Sequence, residues 1–211
     1  MKLLQRLSGA LIKKKSESAI PIELRNRITL LEKRMGYFFR NPCLLEQALT
    51  HPSFNEHTKG KQDNQRLEFL GDSILGGILS LHLYELYPKD DEGSLSRKKA
   101  VLARGSTLAS LGSKLGLPEA LQVSRTERKN KGHLRPSTLE DAIEAIIGAI
   151  YLDGGLPQAQ RCVLRWLGDV NGMLEAGEGG LNPKGQLQEF IQSQSPEEKI
   201  KYHLVREEGP P

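Results

Sequence analysis

Glu68 and Asp72 stand four residues apart in the stretch DNQRLEFLGDSILGG, Asp63–Gly77. On a helix that spacing puts both carboxylates on one face, one turn apart. Their neighbours Leu67, Phe69, Leu70, Ile74, Leu75, Ile78 and Leu79 make the helix apolar on most sides, so it should be largely buried. Unpaired carboxylates are costly there and need compensation. A second stretch, LEDAIEAIIGAIYLDGG from Leu139 to Gly155, repeats the pattern with Asp141 and Glu144 at i, i+3 among alanines and isoleucines. If the two helices pack together, four carboxylates meet in one pocket. Left alone, most would protonate, because desolvation and like charges both raise a carboxyl pKa. A hard divalent cation removes the conflict, since Mg²⁺ takes oxygen ligands and keeps several waters. Two such ions about 3.5–4 Å apart can activate water and stabilise the leaving oxygen of a phosphodiester.

For any single carboxylate the competing reading is a salt bridge or a helix cap. Arg66 could pair with a neighbour, and Ser137-x-x-Glu140 has the form of a capping box, which would occupy Glu140. Such a reading explains one acid more easily than four at two matched sites. A di-iron helical bundle is the rival metal centre, but it uses Glu-x-x-His. None of the five histidines has Glu three residues before it. An all-oxygen donor set favours Mg²⁺ or Mn²⁺ over iron or zinc.

The elements that would position these acids are helical. IELRNRITLLEKRMG repeats apolar residues at Leu24, Ile28, Leu31 and Met35 before a Gly36 stop. NPCLLEQALTH predicts a short helix with Pro42 in its first turn. The helix bearing Glu68 should end near Pro88, and SLSRKKAVLARGSTLASLGSKLG from Ser94 predicts another, closed by Gly112 and Gly116. KNKGHLRP is a basic loop, and LPQAQRCVLRWLGDVN a last amphipathic helix. No clear two-residue alternation occurs before residue 180, so the domain is expected to be all-α. EAGEGGLNP then reads as a linker, followed by a helix in KGQLQEFIQSQ and a strand in KIKYHLVREEG.

Composition narrows the class of protein. The 211 residues suffice for one well-cored domain and an appendage, with 37% apolar and 27% charged residues. No run approaches the length of a membrane span, so no membrane partner is expected. MKLLQRLSGALIKKK reads as a basic arm, a transit peptide being the competing reading. Cys43 and Cys162 read as reduced core thiols in a reducing compartment. The net charge is +4, with a pI near 9.0. Between Ser94 and Arg135 ten basic residues face only Glu119 and Glu127. Such a block suits a polyanion, the alternative being a solvated basic face.

These stretches resemble the ribonuclease III family. NQRLEFLGDSIL is similar to its signature, commonly Glu-Arg-Leu-Glu-Phe-Leu-Gly-Asp. The likeness extends through LTHPSF (Leu49–Phe54), DEGSLSRKKAVLARGSTLA (Asp91–Ala109), Leu139–Gly155 and NPKGQLQEFIQ (Asn182–Gln192). It implies an all-helical, homodimeric endonuclease that cuts double-stranded RNA to 5′-phosphate and 3′-hydroxyl ends. Glu68, Asp72, Asp141 and Glu144 would then be metal-binding carboxylates, Asp72 and Glu144 foremost in catalysis. Glu92 would be a further acid near the site, and Phe69 an aromatic that plugs into the partner subunit; core packing is its plainer reading. Arg97, Lys98, Arg104, Lys129 and Lys131 would contact RNA phosphates.

Two departures stand out. Gln65 replaces the usual Glu, leaving a supporting hydrogen-bonding group without charge. The tail matches only the first helix and strand of a double-stranded-RNA-binding domain before Pro211, so it is not expected to bind alone. The resemblance divides the chain into a basic arm (1–21), a catalytic domain (22–175), a linker (176–183) and an incomplete RNA-binding domain (184–211). It implies a cytoplasmic enzyme of rRNA, mRNA and tRNA processing. A non-catalytic, RNA-binding or ribosome-associated relative is the alternative, but it predicts lost carboxylates, and none of the four is lost.

Overall fold

The computed structural model of the chain describes residues 22–57, 62–178 and 191. It forms two compact units, one ending at Gly168 and one beginning at Asp169. The first carries α1 (Ile22–Met35), α2 (Pro42–Ala48), a 3₁₀ turn (Pro52–His57), α3 (Gln65–Leu86), α4 (Glu92–Leu102) and α5 (Gly105–Leu115). It continues with α6 (Leu117–Ala120), α7 (Arg125–Lys129), a second 3₁₀ turn (Gly132–Leu134), α8 (Pro136–Gly154) and α9 (Leu156–Leu167). Among the described residues there is no strand, only an isolated parallel bridge between Thr50 and Gln122. The all-α expectation holds.

Helix α8 is the centre of this unit, packed most extensively on α3 and next on α5. Its isoleucines at 143, 146, 147 and 150 are almost wholly shielded from solvent. At about 1.5–3 kcal/mol each, they stabilise the helix by up to roughly 6–12 kcal/mol. That margin lets α8 carry acids in a partly buried position. Two glycines bring α3 and α8 together: a Cβ at Gly71 would collide with the backbone oxygen of Glu144, and one at Gly148 with that of Leu67. The contacts pair 67 with 148 and 71 with 144, so the helices run in opposite directions where they touch.

The far end of α8 is tied down by Asp153. Its carboxylate accepts hydrogen bonds from the Tyr37 hydroxyl (2.7 Å) and the backbone N–H groups of Arg40 and Asn41 (2.9 Å each). Burial alone would raise the Asp153 pKa, but these three donors outweigh it and hold the carboxyl below its ordinary range. On the other side, α9 buries Ala159, Cys162, Val163 and Leu167 along one stripe. Trp166 Nε1 donates to the carbonyl of Met35 at the end of α1 (2.9 Å).

Several sequence readings are corrected here. The helix expected from Ser94 is two helices, broken at Ala103 and Arg104. Arg104 is extended, and the Thr107 hydroxyl donates to the carbonyl of Val101 (3.1 Å), which also accepts from the Arg104 N–H (3.4 Å). Gly112 lies inside α5; Gly116, at φ 82°, ends it. The capping box does not form, because α8 starts at Pro136, with Arg135 as its cap and Ser137 already helical. Cys43 is exposed and only Cys162 is a core thiol. The predicted last helix is followed by α10 (Val170–Glu178), which runs into the expected linker and starts with Asp169 Oδ1 accepting from Gly172 N–H (3.1 Å). The Leu24 side chain, the basic arm and the helix and strand expected in the tail fall outside the described residues, apart from helical Ile191.

Candidate active site

The close crossing of α3 and α8 sets Glu68, Asp72, Asp141 and Glu144 within reach of one another's charge. Glu144 is half-buried, and its pKa is pushed up to about 7. Desolvation is the largest cause, followed by the charges of Asp72, Glu140, Glu68 and Asp141. Glu68 is raised by desolvation and then by Asp141, Glu140, Asp63 and Asp72. Desolvation also raises Asp141, opposed by the charge of His51 and a backbone hydrogen bond. Asp72 is exposed at the rim. Among the described residues no lysine or arginine forms an ion pair with any of the four, Arg66 included.

Among the described residues, then, burial and the neighbouring acids raise the proton affinity of Glu68 and Glu144, and no lysine or arginine is paired with either. Such an arrangement suits a hard cation, because every donor is a carboxylate oxygen. Among the described residues no group of three or more acidic, histidine or cysteine side chains forms a ready-made ligand set.

Two residues belong to this neighbourhood that the sequence reading did not assign to it. Glu140, taken for a cap, lies against Gly105 at the start of α5, where a Cβ would strike its carboxylate. It acts on both Glu68 and Glu144 as a fifth negative charge. Its spacing from Glu144, one helical turn, was the available signal. His51, in the quoted LTHPSF stretch, is the one described basic side chain that opposes the rise of Asp141. Its Nδ1 faces Ser53, whose N–H donates to it (3.1 Å) and whose hydroxyl lies 2.8 Å away.

Other expected site residues are placed elsewhere. Glu92 opens α4 and accepts from the Ser96 hydroxyl (2.9 Å), lining a cavity of about 440 Å³ with Ser80 and Tyr84. Ser80 is eight residues beyond Asp72, roughly 12 Å along the helix, so Glu92 does not join the four. Gln65 is exposed at the start of α3, on the side of Phe69. Phe69 itself is 79% exposed, which excludes core packing within this chain. Of the basic candidates, Arg97, Lys129 and Lys131 are exposed and Arg104 is half-buried. Lys98 is engaged: its ammonium lies 2.8 Å from Asp90 and 4.8 Å from the Tyr87 ring centroid.

Residues 41–170 match the family model described as Ribonuclease-III-like. The ribonuclease 3 of Idiomarina loihiensis is 44% identical over 166 residues, covering 79% of this chain and 70% of that protein. That of Colwellia psychrerythraea is 45% identical over 167 residues, covering 79% and 61%. The nuclease domain of Campylobacter jejuni ribonuclease III superposes with a TM-score of 0.62 at 40% identity, over 66% of this chain and 92% of that one. A second structure of that domain, described for flexibility in a region involved in dimer formation, gives 0.62 at 38% identity over 71% and 97%.

Proposed function

Because this chain belongs to the ribonuclease III family and is a ribonuclease III endoribonuclease, we propose that it hydrolyses double-stranded RNA at the Glu68, Asp72, Asp141 and Glu144 site. The products would be 5′-phosphate and 3′-hydroxyl ends. The observation that carries this reading is Glu144, half-buried with a carboxyl raised to about 7 and, among the described residues, no basic side chain paired to it. Mg²⁺, or Mn²⁺ in its place, fits the donor set and would be held by these four carboxylates. Bound there, it supplies activation of water and stabilisation of the departing oxygen. The chain contributes the rest. The glycine contacts of α3 and α8 fix the spacing of the acids, and Glu140 adds negative charge at their edge.

Substrate binding rests on Arg97, Arg104, Lys129 and Lys131. A-form RNA buries its base edges in a deep, narrow major groove, so these cations read phosphates and 2′-hydroxyls with little sequence preference. The exposed Phe69, with Leu70 and Leu152 lining the same surface, supports a homodimer in which a second copy covers this face. Among the described residues no helix is long and apolar enough to cross a membrane. The reading extends to processing of rRNA, mRNA and tRNA precursors in the cytoplasm. The test is incubation of the full chain with a generic RNA duplex, with Mg²⁺, with Mn²⁺ or with EDTA. Cleavage in either metal and none in EDTA is expected; an intact duplex under all three conditions overturns the proposal.

A further inference from the structure

A cleft of about 770 Å³ opens between the face of α1 and the ends of α5 and α6, and it shares no residue with the carboxylate site. Arg27, Arg34, Lys114 and Arg128 line it, opposed by the single carboxylate of Glu119. Three of these cations are anchored to the protein backbone. Arg27 donates to the carbonyl of Glu119 (3.2 Å), Arg34 to that of Leu115 (3.3 Å) and Arg128 to that of Leu121 (2.5 Å). Each bond uses one of five guanidinium N–H donors and leaves the others available while the group is held in place. The fold makes room for this: a Cβ at Gly116 would run into Arg34 Nη1.

Neutral recognition does not call for four cations around one cavity. Mutually repelling guanidinium groups lower their energy by sharing an anion with several oxygens, and Arg–phosphate pairs are often bidentate. A lone carboxylate carries too little charge for four partners. His133 adds a further polar wall, with a buried Nδ1 that has no partner among the described residues. Burial, and then the charge of Arg128, lower its pKa.

We propose that this cleft binds phosphate groups, as a second anion site apart from the carboxylates, with Arg27, Arg34, Lys114 and Arg128 as its ligands. The chemistry admits two sources, the backbone of an RNA strand or a free phosphorylated molecule. The site stands whether or not the carboxylates cut RNA.

The test uses the full chain without divalent cations at low ionic strength, with tripolyphosphate as the probe and calorimetric titration as the readout. Arg27→Gln/Lys114→Gln removes two exposed charges, and an unchanged melting temperature without ligand shows that the fold survives. Wild type should bind tripolyphosphate, and the double variant should bind at least about tenfold more weakly, the scale of one charged hydrogen bond. Glu144→Gln should bind as wild type does, which separates this site from the catalytic proposal. An RNA duplex that displaces the probe, and itself binds the double variant less well, identifies the RNA backbone as the occupant. Failure of the duplex to displace a bound probe identifies a free phosphorylated ligand. Absence of tripolyphosphate binding at millimolar concentration, or equal binding by wild type and the double variant, overturns the proposal.

Discussion

Helices α3 and α8 each carry two of the four carboxylates, yet α8 buries ten of its nineteen residues and α3 only six of twenty-two. On α8 both Asp141 and Glu144 are half-buried; on α3 Glu68 is half-buried but Asp72 is exposed, as are Phe69 and Tyr84. Thus α8 is an inner post that fixes the acids and raises their proton affinity. Helix α3 is an outer wall, meeting α8 on one side and presenting an apolar surface on the other. The site is a junction between a rigid element and one that faces outward.

The largest expected effect falls on the inner post. Glu144→Gln keeps the shape and removes the charge, so cleavage in Mg²⁺ should fall by about 10²–10⁴, the scale of a removed catalytic group, while duplex affinity is retained. Single-turnover assays beside binding titrations would measure both; full activity refutes the role of Glu144. Asp72→Asn should match it, and a much smaller loss there would make α8 the dominant helix.

Substitutions at the outward face should separate assembly from chemistry. Phe69→Ala should weaken the homodimer by about 3–5 kcal/mol if the ring is buried by the partner, leaving the protomer fold unchanged. Sedimentation at graded concentrations reads this directly. A wild-type chain that stays monomeric at micromolar concentration would remove the dimer from the proposal.

Between the two helices, Gly148→Ala should cost about 1–3 kcal/mol from overpacking against the Leu67 carbonyl. Denaturant titration would give the value. Unchanged stability would mean that the helices separate easily and that the inner post is less rigid than its burial implies.

Smaller and directional is the pH effect. In metal-free protein the native state keeps a proton on Glu144 up to about pH 7, whereas the unfolded chain releases it near the ordinary value of 4.5. The contribution of Glu144 to stability should therefore be fullest below 4.5 and decline as pH rises to about 7. Melting temperatures in EDTA should show this slope, and Glu144→Gln should flatten it; a slope untouched by that substitution assigns it to another group.

Much of this was legible because periodicity and spacing are local. Helices α1, α2, α3, α8 and α9 follow from apolar patterns, and the pairing of two acidic helices follows from their shared oddity. What was illegible depended on distant partners. Glu140 fitted a capping box by sequence, but Pro136 starts the helix early and Gly105, thirty-five positions away, receives its carboxylate. The break at Arg104 has no proline to announce it. Lys98 resembled its basic neighbours, and only the approach of Asp90 and Tyr87 shows that its charge is engaged. Phe69 sat in an apolar run, and its outward direction is a property of how α3 leans on α8.

The hydrogen bonds collected by Asp153 give α8 a chemical polarity along its length. In its first half, Glu144 favours the protonated form; at its end, Asp153 is held below its ordinary pKa and favours the ionised one. For Asp153 the stabilisation is present above the unfolded value of 3.8 and is lost as pH falls through its depressed native value. Acid should therefore relax the repulsion at one end of the rod while unfastening the other from Tyr37, Arg40 and Asn41. Acid unfolding would then begin at the moorings of α8, with its acidic end still quiet.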